Sequence, residues 1–222
     1  MNTVTTVKNI LKEAEINDYQ LTIVNDASTD KTLEVLTKKV IPKVKVINFT
    51  EGPTRRENLA QAMAQSKAET VCFTDADMST DLRMLPQYLI ISNLMNDVVI
   101  GNRYHELSNI DRTKKRLIIS KSMNWVTRVL FNTGLDDHFI GLKVFPRAVI
   151  QNAIKDMDIN YSRKMWWDAE LLIRLRHKGV PIITLPVIWQ EGSTSSLHFF
   201  KEIPMLMYMI KMFIKLRIKN QW

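Results

Sequence analysis

The sequence predicts an α/β fold in which a mostly parallel sheet is flanked by helices, and three observations support this prediction. Short apolar, β-branched runs alternate three times with segments of helical spacing in the first half of the chain. The 222 residues, 45% of them hydrophobic, are enough for one large domain with a filled core. Predicted strands also end in carboxylates, at the edge of the sheet where open α/β folds bind ligands.

The elements of the first half follow from the spacing of apolar residues. Apolar positions three or four residues apart predict helices, and short runs of β-branched and aromatic residues predict strands. The expected order is a helix over 4–15, a strand over 20–24, a helix over 33–40, a strand over 44–49, a helix over 59–63 and a strand that ends just before Asp75.

The second half continues with the same two kinds of element. The long helix from Lys114 to Leu130 is cationic at one end and apolar on one side, and we favour an ordinary packed helix over a functional role. The expected order is a helix over 85–94, a strand over 97–103, the long helix, a turn and strand within 134–150 before another helix, a helix from Trp166 to Gly179 and a last strand over 180–189.

The most informative stretch is the strand that stops at Asp75-Ala-Asp77. Two carboxylates this close repel each other unless a cation lies beside them, and Mg²⁺ commonly uses one or two carboxylates together with substrate phosphates. A nucleotide-diphosphate site is therefore one interpretation. The other is that both residues only end a strand and begin a turn. Asp26 ends an earlier strand in the same way.

Charge and cysteine content restrict the possible partners. Lys and Arg number 31 against 23 Asp and Glu, a formal charge of +8, which favours nucleic acid, anionic lipid or phosphorylated ligands. Cys72 is the single cysteine, so no internal disulfide forms, and a reducing compartment is expected. His138 lies beside two aspartates but no second histidine is near, so we favour local hydrogen bonding over a metal site.

The carboxyl-terminal tail, 199–222, is predicted to be amphipathic and basic, with Lys211 and Lys215 among apolar residues. No stretch reaches the roughly 18 uncharged apolar residues of a membrane-spanning helix, and the amino terminus lacks the pattern of a signal peptide. The tail could lie on an anionic membrane surface, which we favour, or pack against the domain or a protein partner. We expect a domain over 1–198 and a peripheral protein on the cytoplasmic face of a membrane.

Six ordered segments together resemble the family 2 glycosyltransferases with a GT-A fold. Within that family the chain is most similar to the branch that moves a hexose from a nucleotide sugar to a polyprenyl phosphate, the dolichyl-phosphate glucosyltransferases and mannose synthases. The resemblance covers about residues 4–196. The segments are Asn25-Asp26-Ala-Ser, Gly52-Pro-Thr-Arg-Arg-Glu-Asn58, Asp75-Ala-Asp77, Gly101-Asn-Arg103, Gly141-Leu-Lys-Val-Phe145 and Trp167-Asp-Ala-Glu-Leu-Leu172.

The resemblance implies a role for individual residues of the donor site. Asp26 would contact the base or ribose and Arg55 would lie near the nucleotide. Asp75 and Asp77 would be the Asp-x-Asp pair that holds Mg²⁺ or Mn²⁺ on the diphosphate, and Ser193 would belong to a loop that covers it.

The resemblance also implies an acceptor site, with a polyprenyl (dolichyl) phosphate as partner and no nucleic acid. Arg103, Arg116 and Lys121 would gather the acceptor phosphate and the donor diphosphate, and Asp168, with Glu170, would lie beside the sugar. UDP-glucose is favoured over GDP-mannose, because the segments at Trp167 and Trp189 look closer to the glucosyl branch.

The chain departs from the family at three places. Relatives begin with a strand ending in a Pro-x-Tyr-Asn-Glu-like segment, and residue 1 follows the place where that strand would end, so we expect the first strand to be absent. Ser79 stands where many mannose synthases have glutamine, and Asn25 replaces an aspartate. Two other interpretations stay open: a catalytically degenerate membrane-associated homologue that binds lipid phosphate or a partner, and a phosphatase of the haloacid-dehalogenase type.

Overall fold

A computed structural model gives the fold of the chain. It describes residues 2–38, 41–52, 55–157, 163–191 and 207–218. The strands are β1 (Leu21–Asp26), β2 (Val44–Phe49), β3 (Thr70–Phe73), β4 (Val98–Asn102), β5 (Asn109–Asp111), β6 (Lys143–Pro146), β7 (Ile182–Pro186) and β8 (Ile188–Gln190).

The helices lie close to the positions that the apolar spacing predicts. They are α1 (Asn2–Glu13), α2 (Thr32–Thr37), α3 (Arg56–Ala64), α4 (Leu85–Met95), α5 (Lys114–Phe131), α6 (Arg147–Lys155) and α7 (Trp166–His177). A short 3₁₀ helix, Leu82–Met84, precedes α4, and residues 207–218 are helical, with a π-helical end at Ile214–Ile218.

The strands form an α/β arrangement of parallel pairs with one antiparallel strand, and the predicted fold class is confirmed. The central sheet has the order β3-β6-β4-β7, in which β4 and β7 are parallel and β6 runs antiparallel to both of its neighbours. Parallel pairs also form between β1 and β2 and between β5 and β8. Among the described residues, β1 pairs only with β2, and β3 pairs only with β6.

Helices cover both faces of the central sheet because successive side chains of a strand point to opposite faces. On one face Phe73, Ile100 and Phe145 pack against α3, α6 and α7. On the other face Val99 and Val144 pack against α1 and α4. Both layers are apolar, so the sheet is buried between them and its strand ends are left as the place for polar groups.

The helix at 207–218 packs against the domain, which is the alternative to the membrane surface that we favoured for the tail. Its Met209, Met212 and Leu216 are buried in a cluster with side chains of α5 and α7. Trp166 of α7 donates its indole N–H to the sulfur of Met212 at 3.3 Å. The same helix exposes a second apolar stripe on another face, made of Met207, Ile210, Ile214 and Ile218.

The expected boundary at residue 198 stays a prediction, because residues 192–206 lie outside the described part of the chain. Among the residues that are described, no helix has both the length and the apolar character that a membrane crossing requires.

Candidate active site

Asp26, at the end of β1, is held by the start of α3. Its carboxylate accepts hydrogen bonds from the backbone N–H of Arg55 at 2.9 Å and from the Asn58 amide at 2.6 Å. Gly52 lies so close that a Cβ there would be 2.6 Å from the Asp26 carbonyl oxygen. The Arg55 side chain forms an ion pair with Glu51. The structure thus brings Asp26 and Arg55 together, and their contact with a nucleotide stays a prediction.

Asp75 is fixed between α3 and the loop before β6. One carboxylate oxygen accepts a hydrogen bond from Arg56 Nη2 at 2.8 Å. The other lies against Gly141, where a Cβ would come within 2.1 Å of it. The side chain is still 39% exposed, so the carboxylate is held in place at the surface of the strand-end crevice.

Asp77 is exposed and takes part in its own turn. Its Oδ1 accepts the backbone N–H of Ser79 at 2.9 Å, and Met78 between them has a φ of 57°. A left-handed backbone is strained for a residue with a side chain, and such strain tends to occur at functional sites. Asp77 is therefore both a turn residue, as the simpler interpretation requires, and a carboxylate open to a ligand.

The described residues supply two carboxylates at this strand end, and no group of three or more His, Cys, Asp or Glu residues among them could hold a metal ion. Mg²⁺ is usually bound by one or two protein carboxylates and completes its shell with water and substrate phosphates. Asp75 and Asp77 fit that mode of binding, in which the metal arrives with its phosphate ligand.

Asp168, in the first turn of α7, is completely buried, and Arg56 lies between it and Asp75. Neither of its carboxylate oxygens has a hydrogen-bond partner among the described residues, and the same is true of the indole N–H of Trp167. Arg56 Nε lies 3.6 Å from Asp168 Oδ2. Burial raises the pKa of Asp168, although the charges of Lys143 and Arg56 oppose that change. Buried carboxylate oxygens are usually paired with a protein group, ordered water, an ion or a polar ligand.

Arg56 and Lys143 belong to the candidate site, and the sequence analysis missed them. Arg56 connects Asp75 and Asp168, and the charge of Asp168 is the main reason that its pKa is raised. Lys143 is fully buried in β6, donates to the Ile140 carbonyl and lies 5.1 Å from the ring of Phe73. A lysine inside the apolar run at 141–145 was the signal that could have identified it.

Arg103, at the end of β4, forms a bidentate ion pair with Asp137. Its Nε and Nη2 each lie 2.8 Å from a different carboxylate oxygen, and its backbone N–H donates to Asp137 at 3.0 Å. Burial opposes the charged guanidinium, but Asp137 and, more weakly, Tyr104 and Asp75 keep the pKa of Arg103 above its usual range. The pair is rigid, and its position places a permanent cation near Asp75.

Two aromatic rings lie beside Arg103, and Lys121 contacts one of them. The Arg103 guanidinium is 5.5 Å from the Trp189 ring and 5.8 Å from the Tyr104 ring. Lys121 Nζ is 5.7 Å from the Tyr104 ring, and Arg116 belongs to the first turn of the same helix, α5. The end of β4 and the helix α5 thus bring Arg103 and Lys121 to the same tyrosine ring, and Arg116 lies five residues before Lys121 on that helix.

Glu170 belongs to an internal ion network and not to the open crevice. Its carboxylate is buried and contacts Arg163 Nε at 2.6 Å, Arg174 Nε at 2.8 Å and the Tyr208 hydroxyl at 2.6 Å. Arg163 also binds Glu57 of α3. The network joins α3, α7 and the 207–218 helix just behind Asp168.

His138 is completely buried, as the favoured interpretation of local hydrogen bonding requires. Its two ring nitrogens lie 2.8 Å from Thr133 Oγ1 and 3.0 Å from Asn124 Oδ1. Ser193, the last predicted site residue, lies outside the described residues.

The fold is GT-A-like. The structure aligns with glucosyl-3-phosphoglycerate synthase from Mycobacterium tuberculosis in complex with phosphoglyceric acid, with a TM-score of 0.52 over 90% of this chain and 69% of that one, at 12% identity. At this identity the similarity concerns the fold alone.

The chain belongs to the family described as Glycosyl transferase family 2, whose profile matches residues 2–151. It is 28% identical over 222 residues to dolichyl-phosphate beta-glucosyltransferase ALG5A of Trichomonas vaginalis, covering 95% of this chain and 67% of the relative. Identity is 24% over 208 residues to the dolichyl-phosphate beta-glucosyltransferase of Saccharomyces cerevisiae, and the alignment covers 84% of this chain and 61% of that protein.

A third relative is the glycosyltransferase AglD of Haloferax volcanii, 23% identical over 188 residues, which are 83% of this chain but 30% of that protein. The chain thus spans between about a third and two thirds of the length of these relatives. The family resemblance drawn from the sequence is confirmed.

Proposed function

We propose that the protein transfers a hexose, with inversion, from a nucleotide diphosphate sugar to a polyprenyl (dolichyl) phosphate. The observation that carries this proposal is the position of Asp75 near the Arg103 guanidinium, which shares the Tyr104 ring with Lys121, while Arg116 lies on the same helix as Lys121. Carboxylates can hold a metal on one phosphate group, while the cations attract a second one. Two phosphate groups at one site are what a transfer between a nucleotide sugar and a lipid phosphate requires.

UDP-glucose is the proposed donor. Relatives of the chain are named dolichyl-phosphate beta-glucosyltransferase, and the synthase of similar fold was also solved with Mn²⁺ and UDP-glucose, a structure that aligns with a TM-score of 0.51. GDP-mannose is the alternative donor. Asp26 and Arg55 would contact the nucleotide, and Ser193 is proposed to cover its diphosphate.

The chemistry places few demands on acid–base catalysis. A phosphate monoester has a second pKa of about 6, so the acceptor is already an anion near neutral pH and needs no strong general base. Arg103, Arg116 and Lys121 would reduce the repulsion between the two phosphate groups and align the attack. Direct displacement at the anomeric carbon gives inversion.

Asp75 and Asp77 are proposed to hold Mg²⁺ or Mn²⁺. When bound, the metal would supply positive charge to the leaving diphosphate. Arg56 pairs with Asp75 at 2.8 Å and would keep that carboxylate oriented.

Asp168 is proposed to bind the sugar. Its two oxygens have no hydrogen-bond partner among the described residues, and a hexose offers several hydroxyl donors. Arg56, 3.6 Å away, fixes the position of this carboxylate relative to Asp75. The site would thereby align the anomeric carbon with the acceptor phosphate.

Labelled UDP-glucose or GDP-mannose, incubated with the protein, Mg²⁺ and polyprenyl phosphate, tests the proposal. A lipid-linked labelled sugar is the expected product, and the preferred donor identifies the sugar. Binding of the lipid phosphate without any transfer would instead support a degenerate homologue. Release of inorganic phosphate from a simple monoester would support a phosphatase.

Asp77→Asn should abolish this transfer, because a neutral amide weakens metal binding while the turn is retained. Asp81→Asn is the matched control: Asp81 also follows β3, but it caps the 3₁₀ helix and pairs with Arg83. Unchanged turnover in Asp77→Asn would exclude a metal role for this residue.

We further propose that the protein lies on the cytoplasmic face of an anionic membrane. The 207–218 helix packs against α5 through its buried face, and α5 itself exposes Ile118, Trp125 and Val129 at helical spacing. Apolar side chains of this kind, next to Lys211 and Lys215, favour the interface of a bilayer that contains anionic lipid.

Sedimentation with anionic liposomes tests the membrane surface. Replacing Lys211 and Lys215 with Glu should release the protein from the liposomes. Lys12 and Lys155, exposed on α1 and α6, give a control with the same change of charge away from the stripe. Equal binding of both double variants would exclude this helix as the contact surface.

A further inference from the structure

Two arginines beside the start of α5 share a single carboxylate. Glu191 Oε1 lies 3.2 Å from Arg112 Nε and 2.8 Å from Arg116 Nη1. The three side chains are 11%, 12% and 25% exposed for Glu191, Arg112 and Arg116, so the contact is largely shielded from water. The backbone N–H of Glu191 also donates to the Asp111 carbonyl at 3.1 Å, which fixes the position of this residue after β8.

The surroundings of this carboxylate are strongly positive. Arg112, Arg116 and Glu191 sum to a charge of +1, and the first turn of α5 adds Lys114 and Lys115 and contains no acidic residue. Cations at the amino-terminal end of a helix are opposed by the helix dipole. The arrangement therefore favours an anion with more than one negative charge over a single carboxylate.

The arginine pair is continuous with the cations of the candidate active site. The Arg112 guanidinium lies 5.1 Å from the Trp189 ring, and the Arg103 guanidinium lies 5.5 Å from the same ring. Trp189 thus contacts both groups, so Arg112 and Arg103 belong to one cationic surface around this ring.

We infer that Glu191 occupies an anion site whose ligand is the phosphate monoester of the acceptor, and that Arg112 is a further residue of this site. The inference rests on the proposed function and deepens it. A phosphate monoester carries about −1.5 to −2 charges near pH 7 and offers three acceptor oxygens, whereas a carboxylate carries −1. The monoester therefore displaces Glu191 from the two guanidinium groups.

Competition with Glu191 also gives the site its specificity. A phosphodiester carries one negative charge, as Glu191 does, and gains little by replacing it. Glu191 would therefore admit monoesters and reject diesters, which are the common form of phosphate in membrane lipids. If Glu191 competes with the phosphate, its removal should strengthen phosphate binding. If Glu191 only orients Arg116, its removal should weaken phosphate binding.

Glu191→Gln separates these two roles, because the amide keeps the shape and removes the competing charge. Binding of farnesyl phosphate, measured by titration calorimetry, should become about tenfold tighter, and binding of its methyl phosphodiester should tighten at least as much, so that discrimination falls. The Michaelis constant for polyprenyl phosphate in the transfer assay should fall by a similar factor, while that for the nucleotide sugar stays the same.

Two further variants complete the experiment. Arg112→Gln should weaken farnesyl phosphate binding about tenfold or more, since a charge-assisted hydrogen bond is lost. Glu106→Gln removes one negative charge from an exposed position on the loop between β4 and β5, and controls for the change in net charge. It should leave farnesyl phosphate binding close to that of the unmodified protein.

The inference fails if Glu191→Gln weakens farnesyl phosphate binding or leaves it unchanged, since Glu191 would then be structural. A fall in the Michaelis constant of the nucleotide sugar alone would assign the anion site to the donor, which also overturns it. The binding measurement does not need turnover. A protein that transfers no sugar but shows the expected binding would refute the proposed function and keep the anion site.

Discussion

Replacing Gly141 with alanine tests whether the position of the Asp75 carboxylate is required for transfer. A Cβ at residue 141 would lie 2.1 Å from Asp75 Oδ2 and 2.7 Å from its Cγ, whereas ordinary van der Waals contact begins at 3.4 Å. Asp75 Oδ2 must therefore move by roughly 1.3 Å, from 2.1 Å to the 3.4 Å of ordinary contact. That movement also disturbs the 2.8 Å hydrogen bond from Arg56.

The expected loss of activity is large and the expected loss of stability is small. A displacement of about 1 Å in a catalytic group can reduce the rate about 100-fold, which corresponds to about 2.7 kcal/mol of transition-state stabilisation. Asp75 is 39% exposed and can turn toward solvent, so the free energy of unfolding should change by less than about 1 kcal/mol.

Gly179→Ala is the matched control for this change. Gly179 ends α7 with a φ of 74°, and a Cβ there would meet no atom within 4 Å. A left-handed backbone costs an alanine about 1–2 kcal/mol, so this variant should lose more stability than Gly141→Ala and keep its transfer rate. The measurements are urea unfolding and kcat/KM for the nucleotide sugar over a range of Mg²⁺ concentrations.

The reasoning is refuted if Gly141→Ala keeps the kcat/KM and the Mg²⁺ requirement of the unmodified protein. It is also refuted if both alanine variants lose activity in proportion to stability, because general destabilisation would then explain the effect.

Three other predictions concern the buried polar groups. Asp137→Asn leaves Arg103 buried without its carboxylate and should cost about 3–5 kcal/mol in urea unfolding at pH 7. Burial opposes ionisation of Asp137, but Arg103 lowers its pKa. The contribution of the pair to stability is therefore complete above about pH 4 and is lost as the pH falls through the lowered pKa. The variant should approach the stability of the unmodified protein in acid, and an equal deficit at pH 7 and in acid would contradict this. Tyr208→Phe removes a hydrogen bond to the buried Glu170 and should cost about 1–3 kcal/mol, and an unchanged melting temperature would exclude the role of this bond. Burial lowers the pKa of His138 to about 4, while an unfolded histidine titrates near 6.5. The free energy of unfolding should therefore fall by about 3 kcal/mol as the pH decreases from 6.5 to about 4. NMR signals of the His138 ring that titrate above pH 6 would contradict this.

The sequence allowed the prediction of most elements because their signals are local. The strands at 44–49 and before Asp75 and the helices around 85–94 and 114–130 agree with the structure within a few residues. The spacing of apolar side chains involves residues only a few positions apart, so it can be recognised without knowing the tertiary structure.

The tail shows where local spacing leaves the outcome open. The pattern at 207–218 has apolar residues on more than one face of a helix, which suits both a domain surface and a membrane. In the tertiary structure the face with Met209, Met212 and Leu216 is buried against α5 and α7. The other apolar stripe stays exposed, and its residues are Met207, Ile210, Ile214 and Ile218.

The candidate site was only partly predictable for a similar reason. Arg55 and Arg56 are neighbours in the sequence, and the resemblance indicated Arg55. At the start of α3 their side chains diverge, so that Arg55 pairs with Glu51 and Arg56 reaches Asp75 and Asp168.

The sequence by itself determined the class of fold, the family and the strand-end carboxylates, since each of these can be recognised from short, contiguous segments. Only the tertiary structure decided that β6 runs antiparallel to its neighbours, that Asp137 binds Arg103 and that Glu191 lies between Arg112 and Arg116. The partners in these ion pairs are separated by 34 to 79 positions. Such pairs depend on how the strands and helices pack, and the spacing of residues along the chain carries no record of that packing.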